Sequence, residues 1–441
     1  MTPQTPAIGT GPSAAYDAVI IGAGLVGAAL TLRLLQLGLR VALVDPSPAL
    51  NAAAVKQVQA EAPSGDIATY DVRVSALSPA SRRLLEDIEV WSSIQDAAQP
   101  YTSMRIWDAR NGGRIGFDAM DVQQPDLGCI VENRIVLAAL YQRLAAAAAE
   151  PKAQLRLVRG KLRGILPAQD DSRLLTIDTI AADGEPPAKA LTLSSRLIVG
   201  ADGPGSQTRR LLDIPTREWD YGQQAIVATV AFDESHDSVA WQHFTPSGPL
   251  ALLPLRAHLG QQGSPGGHEG RLISIVWSQD HDEARALMAA DDETFLQHLN
   301  AASEGCIGTA IAAGKRVSVP LRQCHARRYH MDAAVLIGDA AHVIHPLAGR
   351  GVNLGLKDVT ALAASIERGL GRGLLPGHIE TLRRYELQRR PDNLAVMAMM
   401  EGFHRGFTSR SALLNNLLNR GMSAVHALHP LKRKIISLAM N

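Results

Sequence analysis

Aromatic residues are scarce, 4% of 441 positions, and there are only three cysteines, Cys129, Cys306 and Cys324. So few aromatics leave little material for the stacking platforms that bind RNA or single-stranded DNA. Three cysteines, none in a CxxC pair, exclude a disulfide scaffold or a thiolate zinc site and fit a reducing compartment; the thiols are expected to be inert. A dominant charge is missing too. With 44 basic side chains against 43 acidic ones, nothing draws the chain generally toward nucleic acid or an anionic membrane. No apolar run reaches the length of about 18 residues that a spanning helix needs. The first fifteen residues carry no Lys or Arg and no apolar core, so a secretory signal is not expected. What the chain does have is apolar mass, 46% of its residues, enough for two or three units around a large core. The expectation is a cytoplasmic globular protein with no nucleic-acid partner.

Residues 17–21 form a short apolar run suited to a buried parallel strand. Residues 25–37 are apolar on all sides, as in a helix packed on a sheet, and Gly38 fits the position just past its end. A second strand at 40–44 closes a βαβ unit. Residues 46–70 read as a long surface loop, 135–149 as a helix, and 154–158 and 174–178 as alternating strands with a turn at 182–187. Further strands are expected at 225–230 and 272–277, around a Gly-rich turn at 260–270. Residues 282–312 look helical, 335–337 form a short buried strand, and 352–370 form an amphipathic helix with Leu356, Val359, Leu362, Ile366 and Leu370 on one side. From Ser411 onward the chain reads as helical.

The predicted fold class is α/β, a Rossmann-like dinucleotide-binding domain interrupted by a mixed β-sheet substrate domain, with a C-terminal helical segment. The expected parts are a tail at 1–15, a discontinuous cofactor domain at 16–88, 127–212 and 320–370, a substrate domain at 89–126 and 213–319, and a helical region at 371–441.

Three separated motifs carry the chemistry. In Gly22-Ala-Gly24-Leu-Val-Gly27, Gly22 permits the tight turn, Gly24 lets a pyrophosphate approach the backbone, and Gly27 lets helix and strand pack closely. The helix N-terminus supplies unpaired N–H groups to the anion. Asp45, at the end of the second strand, sits where an acid accepts hydrogen bonds from an adenosine ribose. This motif alone does not separate NAD from FAD. The second motif, Asp202-Gly203 with Arg209 downstream, is in isolation no more than a strand ending in a turn. In the third, an apolar strand delivers Gly338-Asp339 to a loop dense in Pro and Gly that opens a helix. There Gly349 and Gly351 allow the backbone to lie against a flat ligand, and the helix N-terminus stabilises negative charge on it. A simple NAD dehydrogenase has no need of this second strand-loop-helix site.

In this order and spacing, the three motifs and His345-Pro346 resemble the class A flavin monooxygenases related to para-hydroxybenzoate hydroxylase. Asp71-Val-Arg73, Glu132-Asn133, Trp219-Asp-Tyr221, Phe244-Thr-Pro-Ser-Gly248-Pro249 and His345-Pro-Leu-Ala-Gly-Arg-Gly-Val-Asn353 narrow the resemblance to the FAD-dependent ring hydroxylases of ubiquinone biosynthesis. It spans about residues 16–403. The resemblance implies FAD held by Gly22, Gly24, Gly27 and Asp45, with Arg73 and Asn133 on its chain. Asp202 and Gly203 would serve FAD and the nicotinamide donor. Asp339 would bind the ribityl chain, and Pro346, Gly349, Gly351, Val352 and Asn353 would frame the isoalloxazine ring. His345, Pro346 and Arg350 are the catalytic candidates. Arg350 stands where the quinone hydroxylases usually carry Gln; a cation there favours the reduced, anionic flavin. Phe244, Pro249 and Leu252 are candidates for the substrate lining.

The implied reaction is monooxygenation of a polyprenyl-phenol ring, with O2 as co-substrate, NAD(P)H or another external donor as reductant, and C6 favoured over C5. The rivals are a flavin-dependent reductase on the same fold and a non-catalytic scaffold subunit of a lipid-synthesis assembly. Expected partners beyond the substrate are other ubiquinone-biosynthesis proteins and a second copy of the chain. The spacing of His342 and His345 permits a metal, but no clustered carboxylate supports one, so none is expected. The Arg389-Arg390 and Lys432-Arg433-Lys434 clusters read as solvated faces. An apolar stripe (Leu413, Leu414, Leu417, Leu418, Met422, Val425) beside the second cluster makes peripheral membrane contact the minority alternative.

Overall fold

The computed structural model describes residues 15–47, 67–108, 113–167, 172–181, 190–245, 247–257, 268–344, 351–408 and 433. Its first sheet grows from Ala18–Ile21, four apolar residues that are all buried. This strand pairs in parallel with Val41–Asp45 on one side and Ile198–Gly200 on the other. Leu155–Pro167 extends the parallel set beyond Val41–Asp45, and Ala334–Leu336 extends it beyond Ile198–Gly200. Antiparallel strands complete a nine-stranded sheet. Strands buried on both faces need continuous apolar runs, and the runs legible in the sequence are these strands.

Helix α1 (Leu25–Gln36) covers the sheet, and Gly38 past its end has φ +77°. The other helices are α2 (Pro79–Asp87), α3 (Asn133–Ala148), α4 (Gln207–Leu211), α5 (His281–Ala289), α6 (Asp292–Ser303), α7 (Gly351–Leu370) and α8 (Ile379–Thr408). One core joins the first sheet to α1, α3, α7 and α8, through residues such as Leu30, Leu140, Leu362 and Tyr385.

The second sheet is also nine-stranded and mostly antiparallel, with Thr216–Phe232 as its longest strand. Its outer face packs under α5 and α6 through Ile226, Ile275, Leu287 and Phe295. Its inner face, including Ala231, Leu253 and Leu272, meets Ala76 and Ile130 of a three-stranded sheet. Val317–Ala326 belongs to the second sheet, so the boundary expected at 319/320 falls inside a strand. His342–Val343 joins the same sheet from within the segment expected in the cofactor domain.

Two further expectations need amending. The helical reading of 282–312 holds through Ser303, but Gly305 and Gly308 take φ +67° and +84°, and Ala310–Ala313 pairs with the long strand. Chain reversal there is cheap only for glycine. The turns expected at 182–187 and 260–267, most of the 46–70 loop, and the helix from Ser411 with its apolar stripe lie outside the described residues. Among the described residues no helix is long and apolar enough to cross a membrane.

Phe295 is fully buried, 6.2 Å from Trp277 and with the Arg316 guanidinium 4.8 Å from its ring centre. Phe295→Ala is expected to cost about 3–5 kcal/mol through lost transfer energy and the cavity left behind. Urea unfolding followed by tryptophan fluorescence measures it.

Candidate active site

The three motifs meet in space because their backbones leave no room between them. A Cβ on Gly22, where φ is +103°, would lie 2.3 Å from the Ala201 carbonyl oxygen; one on Gly27 would lie 1.9 Å from that of Gly22. These contacts press the first motif against the second. On its other side Val26 fills the space beside Gly338 and Gly355: a Cβ on Gly355 would come 2.5 Å from Val26 Cγ2. Arg209 completes the connection, its buried guanidinium donating to the carbonyls of Ala340 (2.8 Å) and Pro204 (2.9 Å).

At this junction α1 begins at Gly24 without a side-chain cap, and a Cβ on Gly24 would meet nothing within 4 Å. An uncapped helix start facing open space is a ready anion site. Asp45 stands beside it, its carboxylate accepting from the N–H groups of Ala23 and Ser47, both at 2.7 Å. The Tyr141 hydroxyl donates to the Ala23 carbonyl (2.9 Å), and its pKa is pushed up to about 12 by burial and by Asp45. Asp339 projects an exposed side chain from a turn of fully buried residues, yet the surrounding protein raises its pKa. That combination marks a group on the wall of an internal cleft. The cradle therefore fits a dinucleotide's pyrophosphate and polyol chain.

Beneath the Gly338-Asp339 turn lies a buried polar chain. Asp358 is fully buried and accepts from the Gly338 N–H (2.9 Å), His342 Nε2 (2.6 Å) and Arg389 Nε (2.8 Å). Burial alone would raise the Asp358 pKa, but His342 and Arg389 hold it below the usual range. Arg389 also donates to Asn393 Oδ1 (2.8 Å), Asn393 Nδ2 to the Tyr329 hydroxyl (3.2 Å), and that hydroxyl reaches His325 Nε2 at 3.0 Å. In this direction of donation His325 must accept, so it is neutral. Burial first, then His342 and Arg390, push its pKa down to about 4.

The FAD binding domain family matches residues 15–398. The chain is 32% identical to the zebrafish (Danio rerio) mitochondrial ubiquinone biosynthesis monooxygenase COQ6, over 96% of this chain and 89% of that one. It is 33% identical to the ubiquinone hydroxylase UbiL of Rhodospirillum rubrum, with the same coverage, and 32% identical to the 3-demethoxyubiquinol 3-hydroxylase of Escherichia coli, over 96% and 98%. The chain belongs to the FAD-dependent hydroxylases of ubiquinone biosynthesis. It is a flavin monooxygenase. Its fold matches p-nitrophenol 4-monooxygenase PnpA of Pseudomonas putida at TM-score 0.71 and 16% identity, over 96% and 98% of the two chains.

In this flavoprotein several expected contacts are already committed within the protein. The Asp202 carboxylate takes Ser206 Oγ (2.5 Å), Thr208 N (2.9 Å) and Thr208 Oγ1 (3.0 Å), securing α4. The Asn353 side chain binds Ser78 N, Ser81 Oγ and the Ala76 carbonyl at 2.7–2.9 Å, tying α7 to α2. Arg73 and Asn133 come together: the Asn133 N–H donates to the Arg73 carbonyl (2.9 Å), Asn133 Oδ1 accepts from Ser75 Oγ (2.5 Å), and the Arg73 side chain is exposed. Gly203 has φ +76° with open space around it. Gly351 and Val352 open α7. His345, Pro346, Gly349 and Arg350 lie outside the described residues.

Leu252 departs from expectation. Phe244 and Pro249 are cross-strand partners on one face, whereas Leu252 is fully buried on the other, in the core under α5 and α6. Side chains alternate along a strand, so the three cannot line one pocket. Arg389 is likewise no solvated cation but 4% exposed and paired with Asp358. The sequence reading missed Asp358, though a carboxylate four residues from both Leu354 and Leu362, on a helix's buried face, was the available signal. The three thiols are held protonated by burial, Cys129 and Cys306 near pKa 12 and Cys324 near 11.

Unfolded His325 takes up a proton near its ordinary pKa of 6.5, whereas the folded ring does so only near 4. Its contribution to stability is therefore lost as pH falls from about 6.5 to 4, at up to ~1.4 kcal/mol per pH unit. His325→Gln is expected to flatten that part of a melting-temperature profile against pH. Gly22→Val, which cannot fit beside Ala201, is expected to lower both melting temperature and flavin content, the latter read from absorbance near the visible flavin bands.

Proposed function

We propose that this flavoprotein hydroxylates the aromatic ring of a polyprenyl phenol in ubiquinone biosynthesis, with NAD(P)H as reductant. The observation that carries the reading is the meeting of Gly22–Gly27, Ala201-Asp202 and Gly338–Gly355 around one uncapped helix start and one cleft carboxylate. The names of the relatives supply the pathway. When bound, reduced FAD activates dioxygen so that one oxygen atom enters the ring and the other leaves as water.

The protein's part is to bind, orient and exclude water. Gly22, Gly24, Gly27 and the start of α1 take the pyrophosphate, Asp45 the adenosine ribose through its remaining lone pairs, and Asp339 the ribityl hydroxyls. Arg73, with its side chain exposed, and Asn133 serve the FAD chain. Gly203 and the Asp202 backbone line the second turn. His345, Pro346, Gly349, Arg350, Gly351, Val352 and the Asn353 backbone frame the ring. The inner face of the second sheet, carrying Phe244 and Pro249, covers the substrate and keeps water from the reacting centre. C6 is the first ring position to test and C5 the second.

Asp339→Ala is expected to give folded protein that purifies with little flavin; full flavin occupancy would remove the role given to this carboxylate. Turnover under ¹⁸O₂ should place one labelled oxygen in the product ring, and an unlabelled product would favour a reductase. The intermediate that accumulates in a strain lacking the gene, identified by mass spectrometry, names the ring carbon.

A further inference from the structure

Trp219 and Gln323 are direct cross-strand partners in the second sheet. Both side chains carry a buried donor, Trp219 Nε1 and Gln323 Nε2, that has no acceptor among the described residues. Gln323 is 1% exposed, so its amide is closed to bulk water. Its orientation is also decided: the Tyr221 hydroxyl donates to its Oε1, which leaves the NH₂ end as the unsatisfied one. An indole N–H and an amide NH₂ can only donate. The cluster of buried polar atoms elsewhere on the inner face, Thr229 and Ser274, consists of hydroxyls that either donate or accept and selects no ligand.

The location gives the donors a purpose. Trp219 packs against Ile344, Leu354 and Met397. Ile344 follows the strand His342–Val343, whose partner strand carries Gln323 next to Cys324, and Leu354 lies in the first turn of α7. The two donors therefore flank the segment between Ile344 and Gly351, where the sequence places the ring-framing residues. The neighbours that pack on Trp219 are apolar and uncharged, which suits a neutral oxygen rather than a carboxylate or phosphate.

The geometry points to a two-donor site, Trp219 Nε1 and Gln323 Nε2, for a neutral oxygen on a planar ring. This rests on the hydroxylase reading above and adds to it the group by which the ring is held. Two sources share that chemistry: the phenol, carbonyl or methoxy oxygen of the substrate, and a carbonyl of the flavin. Tyr221 acts as a positioning residue, locking the Gln323 amide with its NH₂ end presented.

The test uses the full-length chain with Gln323→Leu and, separately, Trp219→Phe, each keeping an apolar body and deleting one donor. FAD affinity is measured by fluorescence quenching on adding FAD to apoprotein. Ligand affinity is measured on flavin-loaded protein, from the perturbation of its absorbance by farnesylphenol and by farnesylbenzene, which lacks the oxygen. If the substrate supplies the oxygen, each variant binds farnesylphenol about tenfold more weakly, leaves farnesylbenzene unchanged and keeps its FAD affinity. If the flavin supplies it, FAD affinity falls by a similar factor and the preference for phenol over benzene stays as in the wild type. Either outcome upholds the donor site. In both, the melting temperature of the apoprotein stays level or rises, because an unpaired buried donor has been removed; a merely structural pair would lower it. Unchanged affinity for FAD and for both probes overturns the site. A wild type that binds neither probe refutes the polyprenyl-phenol reading instead, and the FAD arm still decides whether the donors serve the cofactor.

Discussion

Backbone-to-backbone crowding at one junction governs the architecture. Gly22 lies against Ala201, Gly27 against Gly22, and Gly355 against Val26, at separations that a single added carbon would violate. Segments more than three hundred residues apart can share this point only because each brings a glycine or a small side chain to it. The parallel strands Ala18–Ile21, Ile198–Gly200 and Ala334–Leu336 lie side by side in one sheet, so the turns that follow them emerge at one edge. Ligands of open α/β sheets bind at such an edge, beyond the carboxyl ends of the strands. Here the consequence is a single cradle built from three turns.

The second constraint is electrostatic. Asp358 is an ionised group with no access to water, and burying an unpaired carboxylate costs several kcal/mol. His342, Arg389 and the Gly338 N–H together offset that cost. The arrangement makes the conformation of the Gly338-Asp339 turn depend on α7, from which Asp358 projects, and on α8, from which Arg389 arrives. The C-terminal helix is thereby part of the cofactor architecture rather than an appendage. The orientation of Asn393, Tyr329 and His325 follows from the same charge, since each donates away from Arg389 in turn.

The second sheet divides its two faces between stability and chemistry. The outer face is closed by α5 and α6 with large apolar side chains, and Leu252 belongs there. The inner face is lined by smaller residues and turns toward the three-stranded sheet that also supports α7 through Asn353. Sequence patterning identifies the strand that holds Phe244, but it does not tell which of its two faces meets the cofactor domain.

Local physics made much of the protein readable from its residues. The βαβ unit, the glycine turn, the uncapped α1 and the amphipathic α7 rest on periodicity and on the conformational freedom of glycine, which act over a few residues. The family resemblance rested on the order of such short signals. Only the tertiary structure decided which polar groups spend themselves internally: Asp202 on α4, Asn353 on α2, Arg389 on Asp358. It also decided that Leu252 faces away from Phe244 and that Trp219 and Gln323 stand together with donors unspent. The physical reason is that a hydrogen bond or a buried charge pair joins residues whose separation along the chain carries no periodic signature. Its strength depends on distance and on exclusion of water, and both exist only once the chain has packed.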